Sequence, residues 1–118
     1  MGYNFNGQVP IYLQILEYFK ESIVSGKYQP NEKIPSVREL SVVFEVNPNT
    51  IQKALFELEQ MGLIYTARTN GKFVTADVKA IKKARQEIID EKFSQFFESM
   101  QKLGVEKDEL IKILKEGK

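Results

Sequence analysis

Apolar residues recur at intervals of three and four along residues 10–25, which predicts an amphipathic first helix. Pro10 suits the first position of that helix, and Gly26 suits the residue just beyond its end. The connector that follows contains Pro30 and Pro35, so it cannot be helical throughout. The stripe predicted to face the core consists of Ile11, Ile15, Leu16, Phe19, Ile23 and Val24.

Two shorter helices are predicted after the connector. Ser36 and Glu39 have the spacing of a capping box, which predicts a helix that continues to about Phe44. The Asn-Pro pair at 47–48 suits the cap and first residue of another helix, which is predicted to end at Met61. Two short helices joined by a tight turn form a helix-turn-helix. Their predicted core residues are Val37, Leu40, Val43 and Phe44, and then Ile51, Ala54, Leu55, Leu58 and Met61.

Two β-prone runs follow, at residues 63–67 and 72–75. The segment between them, residues 68–71, ends in Asn-Gly, a pair that tolerates positive φ and is typical of a hairpin turn. Three helices followed by a hairpin predict a winged helix-turn-helix, in which the hairpin is the wing.

From Asp77 the pattern changes to that of one long helix, which is predicted to end near Leu103. Gly104 interrupts this helix, and a last short helix is predicted from about Lys107 to Lys115. On the long helix, large apolar residues are spaced by four, three, four and three, as in a coiled-coil seam. The seam consists of Ile89, Phe93, Phe96, Met100 and Leu103.

The predicted fold is therefore mainly α with a small β-hairpin. Residues 1–76 are expected to form a winged helix-turn-helix DNA-binding domain, and residues 77–118 a two-helix C-terminal dimerisation segment. The seam could instead fold back on its own winged helix and complete a monomeric core. Homodimerisation is favoured, because the large apolar residues of the seam share one side of the long helix. A short C-terminal segment cannot bury so many of them within its own chain. A two-fold dimer also matches palindromic DNA half-sites about 34 Å apart.

Composition excludes several classes of protein. The 118 residues contain no Cys and no His, so Cys/His zinc sites, disulfides, haem ligation and imidazole catalysis are absent. A small carboxylate-dependent hydrolase would need an acid-base pair in a defined pocket, for which there is no candidate. We therefore predict neither an enzyme nor a bound cofactor or metal. A cytoplasmic protein without membrane contacts is expected, because no stretch approaches the roughly 20 apolar residues of a membrane span.

The charge balance is less informative, since 17 basic residues face 16 acidic ones. Residues 1–76 sum to zero, whereas a DNA-binding domain usually carries a basic excess. This leaves open a second class, a winged-helix module that binds a protein partner. DNA binding requires the basic side chains to share one face, which would consist of Arg38, Lys53, Arg68 and Lys72 with Lys33 nearby. The acidic residues expected to lie elsewhere are Glu17, Glu21, Glu57 and Glu59.

Several linked motifs resemble the DNA-binding domain of GntR-family transcription regulators, and together they extend over about residues 10–75. They are Gly26, Pro30, residues 34–40, residues 49–55, residues 62–64 and residues 71–74. Residues 10–15 and 47–50 are similar to the YtrA subfamily, as is the shortness of the remaining segment. The resemblance implies a homodimeric repressor that binds a palindromic operator in double-stranded DNA. It identifies no small-molecule effector.

The resemblance also implies that Arg38 contacts DNA. Ser36 and the amides after it could anchor a phosphate at the start of a helix, or Ser36 could be only a cap. Asn and Gln side chains can pair with adenine edges, Lys with guanine or phosphate, and Thr with phosphate or a thymine methyl. The candidate contacts on the third helix are Asn49, Thr50, Gln52 and Lys53, of which the first two could equally serve only to start the helix.

The predicted wing supplies the remaining candidates. Gly71 has no Cβ, so it is expected to permit a tight turn and a close approach to the sugar-phosphate backbone. Arg68 and Lys72 flank it and could grip phosphates, or they could be ordinary hairpin charges. Tyr65 is expected to pack rather than to contact DNA.

Overall fold

The computed structural model describes residues 4–68 and 70–117, so Thr69 of the predicted hairpin turn lies outside the described residues. The described chain forms α1 (Ile11–Val24), α2 (Val37–Phe44), α3 (Pro48–Gln60), β1 (Ile64–Ala67), β2 (Gly71–Val74), α4 (Val78–Lys102) and α5 (Lys107–Lys115). The prediction of a mainly α fold with one hairpin is confirmed.

The helix starts follow local side-chain chemistry. Ser36 Oγ accepts a hydrogen bond from the Glu39 N–H at 3.1 Å, and Glu39 Oε1 accepts one from the Ser36 N–H at 2.9 Å. This reciprocal pair is the predicted capping box of α2. Asn47 Oδ1 accepts from the Asn49 N–H at 2.8 Å and caps α3. Pro10 differs from its prediction, because it has an extended ψ of 138° and precedes α1 as its cap.

The core lies among the first three helices and the hairpin. Helix α1 packs against α3, and α2 packs against the same helix. Aromatic rings add edge contacts to the aliphatic packing, and Tyr18 meets Phe44 with ring centroids 5.5 Å apart. The buried residues of this core are Ile15, Leu16, Phe19, Ile23, Ile34, Leu40, Phe44, Ile51, Ala54, Leu55, Leu58, Leu63, Ile64 and Val74.

Three predicted core residues are exposed instead: Ile11 on α1, Val43 on α2 and Met61 after α3. Ile11 is the first residue of α1 and lies a full turn before Ile15, the first residue of that helix to be buried. Helix α2 has only two turns and packs through Leu40 and Phe44, so the residue before Phe44 is rotated by about 100° toward solvent. Met61 is the C-cap of α3. The chain then turns at the following glycine, and Leu63 takes the buried place while its N–H donates to the Leu58 carbonyl at 3.1 Å.

The hairpin pairs β1 with β2 in an antiparallel register, with Ile64 opposite Val74 and Ala67 opposite Gly71. Gly71 has φ +96°, so it adopts the left-handed backbone that the Asn-Gly turn predicts. The Asn70 N–H donates to the Ala67 carbonyl at 2.7 Å and closes the turn. The side chains of Ile64 and Val74 face the core.

A third extended segment borders β2, and the sequence did not predict it. The Ile34 N–H donates to the Lys72 carbonyl, and the Val74 N–H donates to the Glu32 carbonyl, both at 2.9 Å. The Asn31 N–H donates to the Val74 carbonyl at 2.9 Å as well. The two prolines of the connector flank this segment, so neither interrupts the pairing. The pairing ties the connector to the wing.

The chain divides into two compact units within α4, one extending to Arg85 and the other beginning at Gln86. This boundary lies further along the chain than the expected one after residue 76. The reason is that Ile81 and Ala84, in the first turns of α4, pack against the core of the first unit. In the second unit, Ile88 on α4 and Leu110 on α5 are buried.

Glu45 provides a test of how the helix-turn-helix is held. It ends α2 in the left-handed region, with φ 58° and ψ 49°. This conformation costs a residue with a Cβ about 1 kcal/mol or more and costs glycine little. We expect Glu45→Gly to raise the free energy of unfolding by about 0.5–1 kcal/mol, measured by urea denaturation. Glu45→Ala keeps the Cβ and is the control, and equal stability of the two variants would contradict this account.

Candidate nucleic-acid interface

The outward face of α3 carries three of the predicted contacts. Ile51, Ala54 and Leu55 are almost completely buried, which fixes the rotation of the helix about its axis. Asn49, Gln52 and Lys53 are exposed. Because residues three and four apart share one side of a helix, these side chains lie together on the face opposite the core.

Thr50 is half-buried and lies in a cleft between the starts of α1 and α3. The cleft has a volume of about 390 Å³ and is lined by Ile11, Tyr12, Asn49, Thr50 and Lys53. The ammonium of Lys53 lies 4.1 Å from the centre of the Tyr12 ring. Sequence reasoning missed Tyr12, because it is outside the apolar stripe of α1. Its position follows only from the packing of α1 against α3.

The start of α2 and the wing meet at a second cleft of about 330 Å³. Ser36, Asn70, Gly71 and Lys72 are among its lining residues, together with Lys33. Arg38 is the second residue of α2 and is exposed. Within residues 4–68 and 70–117, the Arg38 side chain has no ion pair. The structure thus brings the predicted anchor at Ser36 close to the predicted contacts of the wing.

Gly71 has little room for a side chain. A Cβ built there would lie 3.3 Å from Cε of Lys33, in addition to the strain of positive φ. The Lys33 side chain therefore lies against the wing at Gly71. Arg68 and Asn70 are exposed near the tip of the wing. Tyr65 stacks on Phe73 with ring centroids 5.7 Å apart.

The prediction that Glu59 lies away from the basic residues is wrong. Its carboxylate accepts hydrogen bonds from Lys72 Nζ at 3.0 Å and from Thr66 Oγ1 at 3.1 Å. The Lys72 ammonium, assisted by the Thr66 hydroxyl, lowers the pKa of Glu59 below its ordinary value. Thr66 and Lys72 are opposite each other in the hairpin, so both side chains reach the end of α3 from the same side. Lys72 is thus partly neutralised by a neighbouring acid.

Two other acidic residues of the first unit, Glu17 and Glu39, also have local partners. Glu17 forms an ion pair with Lys20 at 3.2 Å along α1. Neither Glu17 nor Glu21 lines the two clefts described above, and Glu57 does not line them either. Glu39 lines the second cleft, where the N–H and hydroxyl of Ser36 lower its pKa as they cap α2.

The predicted seam lies in the second unit, on α4 except for Leu103, which directly follows the helix. Among the described residues of the seam, Phe93, Phe96 and Leu103 are 53%, 46% and 72% exposed. Ile89 and Met100 are half-buried. The rings of Phe93 and Phe97 stack with centroids 5.8 Å apart. A large apolar surface is therefore open on this helix.

Residues 4–68 and 70–117 contain neither a metal-binding cluster nor a membrane-spanning helix. No group of three or more acidic, His or Cys side chains is placed to hold a metal ion. No helix has the length and apolar character needed to cross a membrane.

Residues 11–74 match the family model described as bacterial regulatory proteins, gntR family. The HTH-type transcriptional regulator YhcF of Bacillus subtilis (strain 168) is 33% identical over 115 residues, covering 98% of this chain and 95% of YhcF. The HTH-type transcriptional repressor YtrA of the same organism is 37% identical over 108 residues, covering 91% of this chain and 83% of YtrA.

Solved structures show the same similarity. A GntR family transcriptional regulator from Listeria monocytogenes has a TM-score of 0.88 and 41% identity, covering 95% of this chain and 98% of that chain. The DNA-binding domain of AraR in complex with operator ORX1 has a TM-score of 0.57 and 36% identity, covering 61% of this chain and 93% of that chain.

These similar proteins are transcriptional regulators and not enzymes, as the sequence predicts. The match to YtrA confirms the resemblance to the YtrA subfamily. The family model matches more than half of the chain, and the relatives are matched over most of their length. This chain belongs to the gntR family of bacterial regulatory proteins.

Proposed function

We propose that the protein is a sequence-specific transcription repressor that binds a palindromic DNA operator as a homodimer. The observation that carries the proposal is the outward face of α3, where Asn49, Gln52 and Lys53 lie together. With Thr50 they form the recognition face. A major groove is wide enough to admit a helix, and these side chains can bond base edges and phosphates.

Within the recognition face, the roles divide by chemistry. Asn49 and Gln52 carry amides, which can donate to and accept from the N7 and N6 atoms of adenine. Lys53 and Thr50 are assigned to phosphates, because an ammonium and a hydroxyl at the edge of the cleft need no particular base. The amides specify the sequence, and the other two side chains fix the position of the helix in the groove.

The start of α2 and the wing supply further backbone contacts. Arg38 is exposed and has five donors for phosphate oxygens, while Ser36 lies at the positive end of the α2 dipole. At the wing, Arg68 and the backbone at Gly71 are assigned to the sugar-phosphate edge. Lys72 shares its charge with the Glu59 carboxylate, so its phosphate contact is weaker than that of Lys53.

Dimerisation is assigned to residues 77–118 through the seam on α4. The exposure of Phe93, Phe96 and Leu103 supports this assignment, because water-exposed apolar area of this kind favours association. Two-fold symmetry would place two recognition faces on half-sites about one helical turn apart. The repressor role rests on similarity to the repressor YtrA. The proposal that the protein binds an operator rests on similarity to the DNA-binding domain of AraR, which was solved in complex with operator ORX1. A protein that acts on bacterial DNA would work in the cytoplasm.

The first test removes single charges from the proposed interface. The duplex is one that the wild-type protein selects from a random-sequence DNA pool, and affinity is measured by gel shift at several salt concentrations. We expect Arg38→Ala and Lys53→Ala each to weaken binding by about tenfold or more, because charge-assisted phosphate bonds are lost. The slope of log affinity against log salt concentration should become less steep by about 1.8. Each lost phosphate contact contributes about 0.9 to this slope, and a dimer loses two contacts.

Lys27→Ala is the matched control, because Lys27 lies beyond the opposite end of α1 and contacts Tyr18 instead. Circular dichroism establishes that each variant is folded. Unchanged affinity and salt dependence in both interface variants would show that this face does not bind DNA. Failure of the wild-type protein to select any duplex would favour the winged-helix module that binds a protein partner.

The second test concerns the dimer. Phe96→Asp places a carboxylate in the apolar seam, where burial without a partner costs several kcal/mol. We expect this variant to sediment as a monomer and to lose most of its affinity for the selected duplex, because the two half-sites are no longer bound by linked subunits. Ser94→Asp adds the same charge at an exposed position outside the seam and should leave the dimer intact. A dimeric Phe96→Asp protein would refute the assignment of the seam.

A further inference from the structure

We propose that Tyr12 is a positioning residue of the DNA interface, which holds the Lys53 ammonium in the place where it meets a phosphate. The inference rests on the proposed function and adds to it a residue from α1, outside the helix-turn-helix. Its basis is the contact in the first cleft, where Lys53 Nζ lies 4.1 Å from the centre of the Tyr12 ring. At this distance the face of the ring attracts the cation.

The position of the Tyr12 ring follows from the packing of α1. Tyr12 lies in the first turn of α1 and is half-buried, and α1 packs against α3. Gln14, on the next turn, donates from Nε2 to the carbonyls of Asn6 at 2.7 Å and Val9 at 2.8 Å. These bonds tie the preceding segment to α1. The Tyr12 ring is therefore carried by a helix that packs on α3 and whose start is bonded to the preceding segment.

A second lysine shows what distinguishes this contact. Lys27 Nζ lies 5.0 Å from the centre of the Tyr18 ring and also donates to the Tyr18 hydroxyl at 3.0 Å. The described contacts of Lys53 include the Tyr12 ring but no hydrogen bond to the Tyr12 hydroxyl. A lysine ammonium has three donors, so Lys53 can lie over the ring and still donate to a phosphate on its open side.

The advantage of such a contact is preorganisation. A lysine side chain has four flexible carbon–carbon bonds. Only some rotamers of Lys53 therefore place its ammonium where it lies over the Tyr12 ring. Affinity is reduced by the fraction of protein that is not in the binding arrangement. An attraction of the strength usual for exposed cation–π pairs shifts that fraction about two- to fivefold. Two copies in a dimer would multiply the effect to about 4- to 25-fold.

The experiment compares Tyr12→Leu with Tyr12→Phe in the full chain, using the selected duplex. Leucine keeps apolar volume without an aromatic face, whereas phenylalanine keeps the face and removes only the hydroxyl. We expect Tyr12→Leu to weaken binding about 4- to 25-fold and Tyr12→Phe to bind within about twofold of the wild-type protein. The salt dependence of Tyr12→Leu should stay at the wild-type value, because the Lys53–phosphate contact still forms.

A double-mutant cycle separates positioning from other roles. In a Lys53→Ala background, Tyr12→Leu should have no further effect, since there is no ammonium to position. An equal loss in both backgrounds would overturn the proposal, because Tyr12 would then act on DNA directly or through the fold. Wild-type affinity of Tyr12→Leu, or weakening by Tyr12→Phe as large as that by Tyr12→Leu, would overturn it as well.

The cycle also distinguishes this inference from the proposed function. If Arg38→Ala and Lys53→Ala weaken binding while Tyr12→Leu does not, the DNA interface stands and the positioning role is wrong. If the wild-type protein selects no duplex, the proposed function fails and the positioning role fails with it. Thermal melting of each variant, followed by circular dichroism, identifies any loss that comes from unfolding.

Discussion

The burial of one side of α3 is the constraint on which the proposed site depends. Ile51, Ala54 and Leu58 are fully buried, so the rotation of the helix is fixed by apolar packing. Turning α3 by one residue, about 100°, would bury polar side chains and expose part of the core. The identity of the outward residues is thus a consequence of the core. Asn49, Gln52 and Lys53 face outward because the opposite side of α3 is buried.

The acidic side chains within residues 1–76 explain how a segment with no net charge can present basic groups. Glu39 is used as a cap, Glu17 pairs along its own helix, and Glu59 joins the end of α3 to the wing. These carboxylates have local partners, whereas Arg38 lies exposed on α2. The net charge therefore underestimates the positive charge that the surface can present to DNA. Because Glu59 pairs with Lys72, the wing contributes less positive charge to the surface than its basic residues alone would suggest.

The features that could be predicted from sequence are local ones. The capping box at Ser36 and the cap at Asn47 act over two or three residues, so their spacing was sufficient. The features that were missed depend on contacts between distant segments. The strand-like pairing of the connector, the ion pair of Glu59 and the ring beneath Lys53 each need a neighbour that periodicity does not reveal. The core predictions for Ile11, Val43 and Met61 were wrong because helical spacing alone does not show which residues of a helix meet the rest of the core.

The central claim is that the outward face of α3 enters the major groove of two DNA half-sites. The chain has no Cys, so a single cysteine can carry an iron-chelate cleavage reagent without a competing thiol. Phe56 suits this position, because it is 58% exposed and lies on the same side of α3 as Gln52 and Lys53. With Phe56→Cys, the account predicts two clusters of cuts in the selected duplex about 34 Å apart, and with Lys27→Cys few cuts or none. Strong cleavage from position 27 with none from position 56 would contradict it.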